Sequence, residues 1–147
     1  MELDSLYQEV ILDHYKKPQH KKLLPQFSKQ VHHVHPSCGD EIDLNLIIED
    51  GKIVDLGWEG VGCSISQAST SIMSDLVIGK SIDDAFVALD SFTELMQSKG
   101  TQTGDEDLLE DGVALAGVSK FPARIKCALL GWMAFKDAVM QAVAEGK

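Results

Sequence analysis

Three cysteines, one aspartate and one arginine carry the chemistry this sequence offers. Cys38 sits two residues before Asp40 in "PSCGDEIDL", with Gly39 between them. Cys63 follows Gly60-Val61-Gly62 and precedes a helical pattern that opens at Ser64. Cys127 lies three residues after Arg124 in "GVSKFPARIKCALLGW". Glycine at 39 permits a tight backbone, so the side chains of Cys38 and Asp40 can point to one side. A thiol at a helix start meets the positive end of the helix dipole, which favours thiolate. An arginine three positions away on one helix face favours a thiolate or meets an anion. Three thiolates and a carboxylate form a four-donor set suited to tetrahedral zinc. Spacing alone does not demand it, because there is no paired CxxC and the long intervals fit no finger pattern. The plainer alternative makes each cysteine a small buried hydrophobe and Asp40 a turn residue.

Other constellations are weaker. His32, His33 and His35 form a rival ligand cluster in which His33 and His35 share a strand face. A solvated edge strand explains them more simply. The glycine loop "EGVGCSIS" lacks the lysine of a phosphate loop, and Glu59 would oppose an anion. No Ser/His/Asp arrangement stands out, and the carboxylates are scattered.

The elements that must hold these residues read as α+β. Residues 3–15 form a helix, with Leu6, Tyr7, Val10, Ile11 and His14 on one face, a Ser5/Gln8 capping box, and Pro18 as the stop. A basic stretch follows (Lys16, Lys17, His20, Lys21, Lys22), readable as a solvated patch or as a dock for an acidic partner. Residues 28–35 suit an edge strand. Residues 41–49 alternate, with Ile42, Leu44, Leu46 and Ile48 on one face. Asp50-Gly51 turns the chain into a return strand whose buried face is Val54, Leu56 and Trp58. Helices follow at 64–78, with Ile65, Ala68, Ile72 and Leu76 as stripe, and after Ser81, with Ile82, Phe86, Leu89 and Phe92. Residues 98–112 are polar and acidic and read as a mobile excursion. A last helix starts near Pro122, lined by Ile125, Leu129, Trp132 and Val139.

Composition narrows the function classes. The chain has 147 residues, 44% of them hydrophobic, enough for one domain with its own core. A net charge of −10 disfavours nucleic acid, which needs clustered cations. No membrane span or signal peptide is expected, and an odd cysteine count suits a reducing compartment. A cytoplasmic protein is the expectation.

Four ordered blocks, "LYQEVILDHYKKP", "PSCGDEIDL", "WEGVGCSISQAS" and "GVSKFPARIKCALLGW", together resemble the SufU family. Its members are IscU-like proteins of iron–sulfur cluster assembly, related to the amino-terminal domain of NifU. The resemblance spans about residues 3–140. It implies a three-stranded antiparallel sheet with helices packed against it, a single domain over 1–147, and an acidic insertion at about 98–118. The family's metal ligands fall on Cys38, Asp40, Cys63 and Cys127, and its arginine beside the site falls on Arg124. The IscU branch carries a histidine before its last cysteine, where this chain has Lys126, and an LPPVK-like chaperone motif, where this chain reads "FPARIK". The PRN usual after "DHYK" is here Pro18-Gln19-His20.

The resemblance implies a zinc-dependent sulfurtransferase partnered by a pyridoxal-phosphate cysteine desulfurase of SufS type, feeding downstream iron–sulfur assembly proteins. Cys38 is the expected persulfide acceptor, because it alone sits in a turn beside a glycine, whereas Cys63 and Cys127 are tied to helices. Two alternatives remain: a scaffold that holds a [2Fe–2S] cluster, and a purely structural zinc.

Overall fold

The structure, a computed structural model, describes residues 5–35 and 39–145, with side chains from residue 8 onward. Helix α1 (Ser5–Lys16) precedes strands β1 (Lys29–His35), β2 (Asp40–Glu49) and β3 (Lys52–Val61). The strands form one antiparallel sheet in the order β1-β2-β3. Helices α2 (Ser64–Val77), α3 (Ile82–Met96) and α4 (Glu106–Leu109), a 3-10 segment (Glu110–Lys120) and helix α5 (Pro122–Glu145) follow. The α+β reading and the three-stranded sheet hold.

Asp50 and Gly51 both adopt positive φ, 53° and 73°, as the tight hairpin between β2 and β3 requires. The register slips by one between Ile47 and Ile48, so Val54 has no cross-strand partner and is 46% exposed. Ile53 takes the inner position expected for Val54. The extra residue of a β-bulge reverses the alternation on one side of it. Leu56 and Trp58, beyond the bulge, face inward as the pattern predicts.

Helices α2 and α5 cross over the inner face of the sheet. Helix α2 is buried almost all round, including Ser66, Ser69, Thr70, Ser71 and Ser74. Its hydroxyls find partners: Ser69 Oγ donates to Ala128 O at 2.6 Å and accepts from Trp132 Nε1 at 3.1 Å. A Cβ on Gly131 would meet Thr70 Oγ1 at 2.3 Å, so the two helices touch where side chains are smallest. Trp132 stacks on Phe92 of α3 at 4.5 Å, tying the third helix to the same core.

One expectation is corrected. The acidic stretch is not an excursion throughout. Residues 99, 101–103 and 105–107 are exposed, but Leu109, Val113, Leu115 and Val118 are buried against α1, α2, α3 and α5. Apolar residues crowded behind acids give no 3.6-residue period, so a 3-10 segment is invisible to that test. Helix α5 is also, by length and composition, apolar enough to cross a membrane. It is instead the core helix, with Cys127, Ala128, Trp132, Phe135, Ala138 and Val139 buried.

Residues 17–28 wrap the sheet from α1 to β1. Gln19 O accepts from Trp58 Nε1 and Ser74 Oγ, and Asn45 exchanges two 3.0 Å hydrogen bonds with the Leu24 backbone. Lys21 of the basic stretch folds back onto Gln67 Oε1 at 2.8 Å and over the Trp58 ring, while Lys16, Lys17 and Lys22 are exposed.

Candidate metal centre

The sheet and two helices deliver three donors to one point. Gly39, at φ 68°, ends the β1–β2 turn and starts β2 at Asp40. Cys63 is the N-cap of α2, with φ −73° and ψ 167°. Cys127 lies in the second turn of α5. The Asp40 carboxylate and the thiols of Cys63 and Cys127 offer donor atoms that all lie within 4.8 Å of one another. Asp40 and Cys127 are fully buried and Cys63 is half-buried.

Hydrogen bonds aim the carboxylate. The Cys63 backbone N–H donates to Asp40 Oδ1 at 2.9 Å, and Cys63 Sγ lies 3.8 Å from Asp40 Oδ2. One oxygen serves the start of α2, where a negative charge is favoured by the helix dipole. The other faces the sulfurs. Gly62 makes this possible, since a Cβ there would stand 2.3 Å from Asp40 Oδ1 and 2.5 Å from Ser66 Oγ. Gly60 plays the same part toward the backbone of β2, with a Cβ position 2.3 Å from Glu41 O. The glycines that make "EGVGCSIS" look like a phosphate loop are thus close-approach residues. Arg124 is exposed on the first turn of α5. Its guanidinium is held above the usual arginine pKa by Cys63 first and by Cys127 next.

Two thiolates and a carboxylate fit a borderline-soft ion such as zinc, or the iron of a cluster, better than a hard cation that prefers oxygen alone. A fourth donor is needed for a closed tetrahedral site. Cys38, the residue expected to supply it, lies outside the described residues. Bound zinc would hold thiolates ionised at neutral pH without redox chemistry.

The histidines do not form a rival cluster. His32 lies on the outer face, with Nδ1 2.7 Å from Asp43 and Nε2 3.3 Å from Glu41. His33 lies on the inner face, bonded to Asp137 of α5 at 2.8 Å. A Ser/His/Asp arrangement, absent from the sequence reading, does exist: His14 Nδ1 lies 2.8 Å from Ser71 Oγ and Nε2 lies 2.9 Å from Asp111 Oδ2. Ser71 is fully buried and its Oγ already accepts the Gln19 N–H at 2.7 Å. It fastens α1 to α2 and the 3-10 segment, and a nucleophile would need access it lacks. No spacing signal links positions 14, 71 and 111.

Residues 6–128 match the family model of the NifU-like N terminal domain. The chain belongs to that family. The matched stretch spans all four residues expected as ligands, and Arg124. Among NifU-like relatives, it is 45% identical over 137 residues to the zinc-dependent sulfurtransferase SufU of Bacillus subtilis, covering 93% of this chain and 91% of that protein. It is 42% identical over 137 residues to the iron–sulfur cluster assembly scaffold protein IscU of Streptococcus pyogenes, covering 93% and 84%. The crystal structure of the NifU-like N-terminal protein of Brucella abortus superposes with a TM-score of 0.85 at 25% identity, covering 94% of each chain. The sheet and its helical cover are those of the NifU-like fold.

Proposed function

We propose that this NifU-like protein binds one zinc ion through Cys38, Asp40, Cys63 and Cys127 and accepts sulfur on Cys38 for iron–sulfur cluster assembly. The observation that carries the reading is the convergence of Asp40, Cys63 and Cys127 within 4.8 Å. The zinc-dependent name of the Bacillus subtilis relative supports it. The donor is a pyridoxal-phosphate cysteine desulfurase of SufS type, and the recipients are downstream iron–sulfur assembly proteins, in a reducing cytoplasm that keeps the thiols free.

The transfer step is thiolate attack on a persulfide. The Cys38 thiolate attacks the outer sulfur of the desulfurase persulfide. A new S–S bond forms on Cys38, the old S–S bond breaks, and the desulfurase cysteine leaves as a thiolate. Sulfur moves at constant oxidation state, so no external oxidant or reductant enters. Arg124, exposed beside the two helix-bound thiols, offers a cation to the incoming anion. Zinc held by these residues would keep the Cys63 and Cys127 thiolates ionised at neutral pH.

The experiment mixes the zinc protein with its desulfurase and cysteine, traps persulfides by alkylation and locates them by peptide mass spectrometry. The expected site is Cys38. Persulfide chiefly on Cys63 or Cys127 rejects the assignment, as does full desulfurase stimulation by Cys38→Ala. The second reading is a [2Fe–2S] scaffold, favoured by the scaffold name of the Streptococcus pyogenes relative. Lys126, exposed on α5, puts an ammonium where a histidine donor would sit and weighs against that reading. Metal analysis together with the visible spectrum of protein purified without added metal separates the two.

A further inference from the structure

Two surfaces of this chain complement each other in charge and in apolar character. On the first, helix α1 ends in Leu12, Tyr15 and Lys16, which share a helix face at spacings of three and four, and Lys17 and Lys22 follow, both exposed. Leu12 is 46% exposed and Tyr15 45%, so nearly half of each large side chain is left in water. The helix is held from another side, where Ile11 is buried and His14 bonds to Ser71 of α2 and Asp111 of the 3-10 segment. Asp13 stands beside the lysines, and the helix end remains net positive. On the second surface, a groove of about 690 Å³ opens between the outward face of α3 and residues 101–108. Val87, 49% exposed, and Leu108 give it apolar lining, and Asp90, Glu94 and Asp105 give it charge. Among the described residues, no lysine, arginine or histidine forms an ion pair with these three acids, and no acid forms one with Lys16, Lys17 or Lys22. Both surfaces border one element, since α1, α3 and α4 all pack on the 3-10 segment.

We propose that a second copy of this chain occupies the groove, with the end of α1 from each copy lying in the groove of the other. Leu12 and Tyr15 meet Val87 and Leu108, in the manner of an amphipathic helix laid in a groove, and Lys16 and Lys17 meet Asp90 and Glu94. The contact is reciprocal, so the pair closes at two copies about a two-fold axis and leaves no free surface to extend. A chain of net charge −10 repels its copies at long range, so association needs a local cationic patch, and four of its 13 lysines and arginines fall within residues 16–22. The inference does not depend on what fills the metal centre.

The test is sedimentation of the full chain at low salt over a rising series of concentrations. The unmodified protein is expected to pass from monomer to dimer, and the dimer to dissociate at about 1 M salt, where the screening length falls to about 3 Å. Asp90→Lys with Glu94→Lys, and separately Lys16→Glu with Lys17→Glu, should each weaken dimerisation at least about tenfold, because like charges then face each other. The groove variant is also less negative overall, so simple repulsion predicts tighter association for it, the opposite result. Mixed in equal amounts, the two variants should pair again, since one contact is then native and the other is reversed on both sides. Lys17→Glu with Lys22→Glu replaces the helix variant if reversal at Lys16 loosens α1. A monomer at every concentration overturns the proposal and leaves the groove to a cationic segment of another protein. A dimer that survives both variants, that grows into longer assemblies, or that the mixture fails to restore overturns it as well.

Discussion

The backbone N–H of Cys63 donates to Asp40 Oδ1 at 2.9 Å, so one carboxylate both starts helix α2 and faces two thiols. The bond separates two roles of Asp40 that mutation can pull apart. Asp40→Asn keeps an oxygen for the N–H and places an amide N–H₂ where the second oxygen stood. The metal-free protein should then unfold near the unmodified midpoint, while zinc affinity drops. Asp40→Ala loses both roles, and the metal-free form should be about 1–2 kcal/mol less stable, the usual scale of a lost helix-start hydrogen bond. Denaturant titration of the apo forms and a competitive chelator assay measure the two effects. Equal zinc affinity in Asp40→Asn would show that the second oxygen is not a ligand.

Gly62 should tolerate no side chain. A Cβ at 2.3 Å from Asp40 Oδ1 must displace the carboxylate or the turn before α2. Gly62→Ala is expected to destabilise the protein by about 1–3 kcal/mol, the range for overpacking, and to lower zinc affinity with it. Gly51→Ala makes the contrast, since its Cβ meets nothing within 4 Å and its penalty comes only from a φ of 73°. Zinc affinity unchanged in Gly62→Ala would mean that the Asp40 position does not matter to the metal.

Arg124 should matter for transfer and not for folding. The side chain is exposed, and exposed charges contribute little to stability. Arg124→Ala should keep its melting temperature and its zinc while persulfide transfer falls, with partial rescue by Arg124→Lys. A collapsed melting temperature with normal transfer in the folded fraction would assign it a structural role.

The His33–Asp137 bond should shape the acid limb of stability. Asp137 is held below the ordinary carboxylate pKa, chiefly by the hydrogen bond from His33 and then by Gln141. An acid whose folded pKa is depressed contributes stability that is present above its unfolded pKa, about 3.9, and is lost as pH falls through the folded value. The unmodified protein should therefore exceed Asp137→Asn in stability at pH 5–6, and the gap should close as pH falls below about 3.9. A gap that does not change with pH would leave only a neutral hydrogen bond.

His14 should act as a fastener. His14→Ala removes the bridge from α1 to Ser71 and Asp111 and should cost about 1–2 kcal/mol in denaturant unfolding, while Ser71 shows no hydrolase activity toward activated esters. Esterase turnover abolished by Ser71→Ala would contradict that reading.

Much of the architecture is legible in the sequence because it rests on local periodicity. The alternation of Ile42, Leu44 and Leu46 marks β2, Asp50-Gly51 marks its turn, Ser81 marks the start of α3 through its bond from the Asp84 N–H, and Pro122 marks α5. The candidate donors Cys38, Asp40, Cys63 and Cys127 can also be picked out there, by residue type and by resemblance. Only the tertiary structure decides what depends on contacts between distant segments. It brings Asp40, Cys63 and Cys127 together, uses Gly62 to admit the carboxylate, and joins His14, Ser71 and Asp111. It also moves Ile53 inward in place of Val54 through a one-residue slip, and buries Leu109, Val113, Leu115 and Val118 without helical period. Local pattern records which face a residue takes within its own element. Which faces meet is set by packing the whole chain to one core, and the site exists only where three such faces converge.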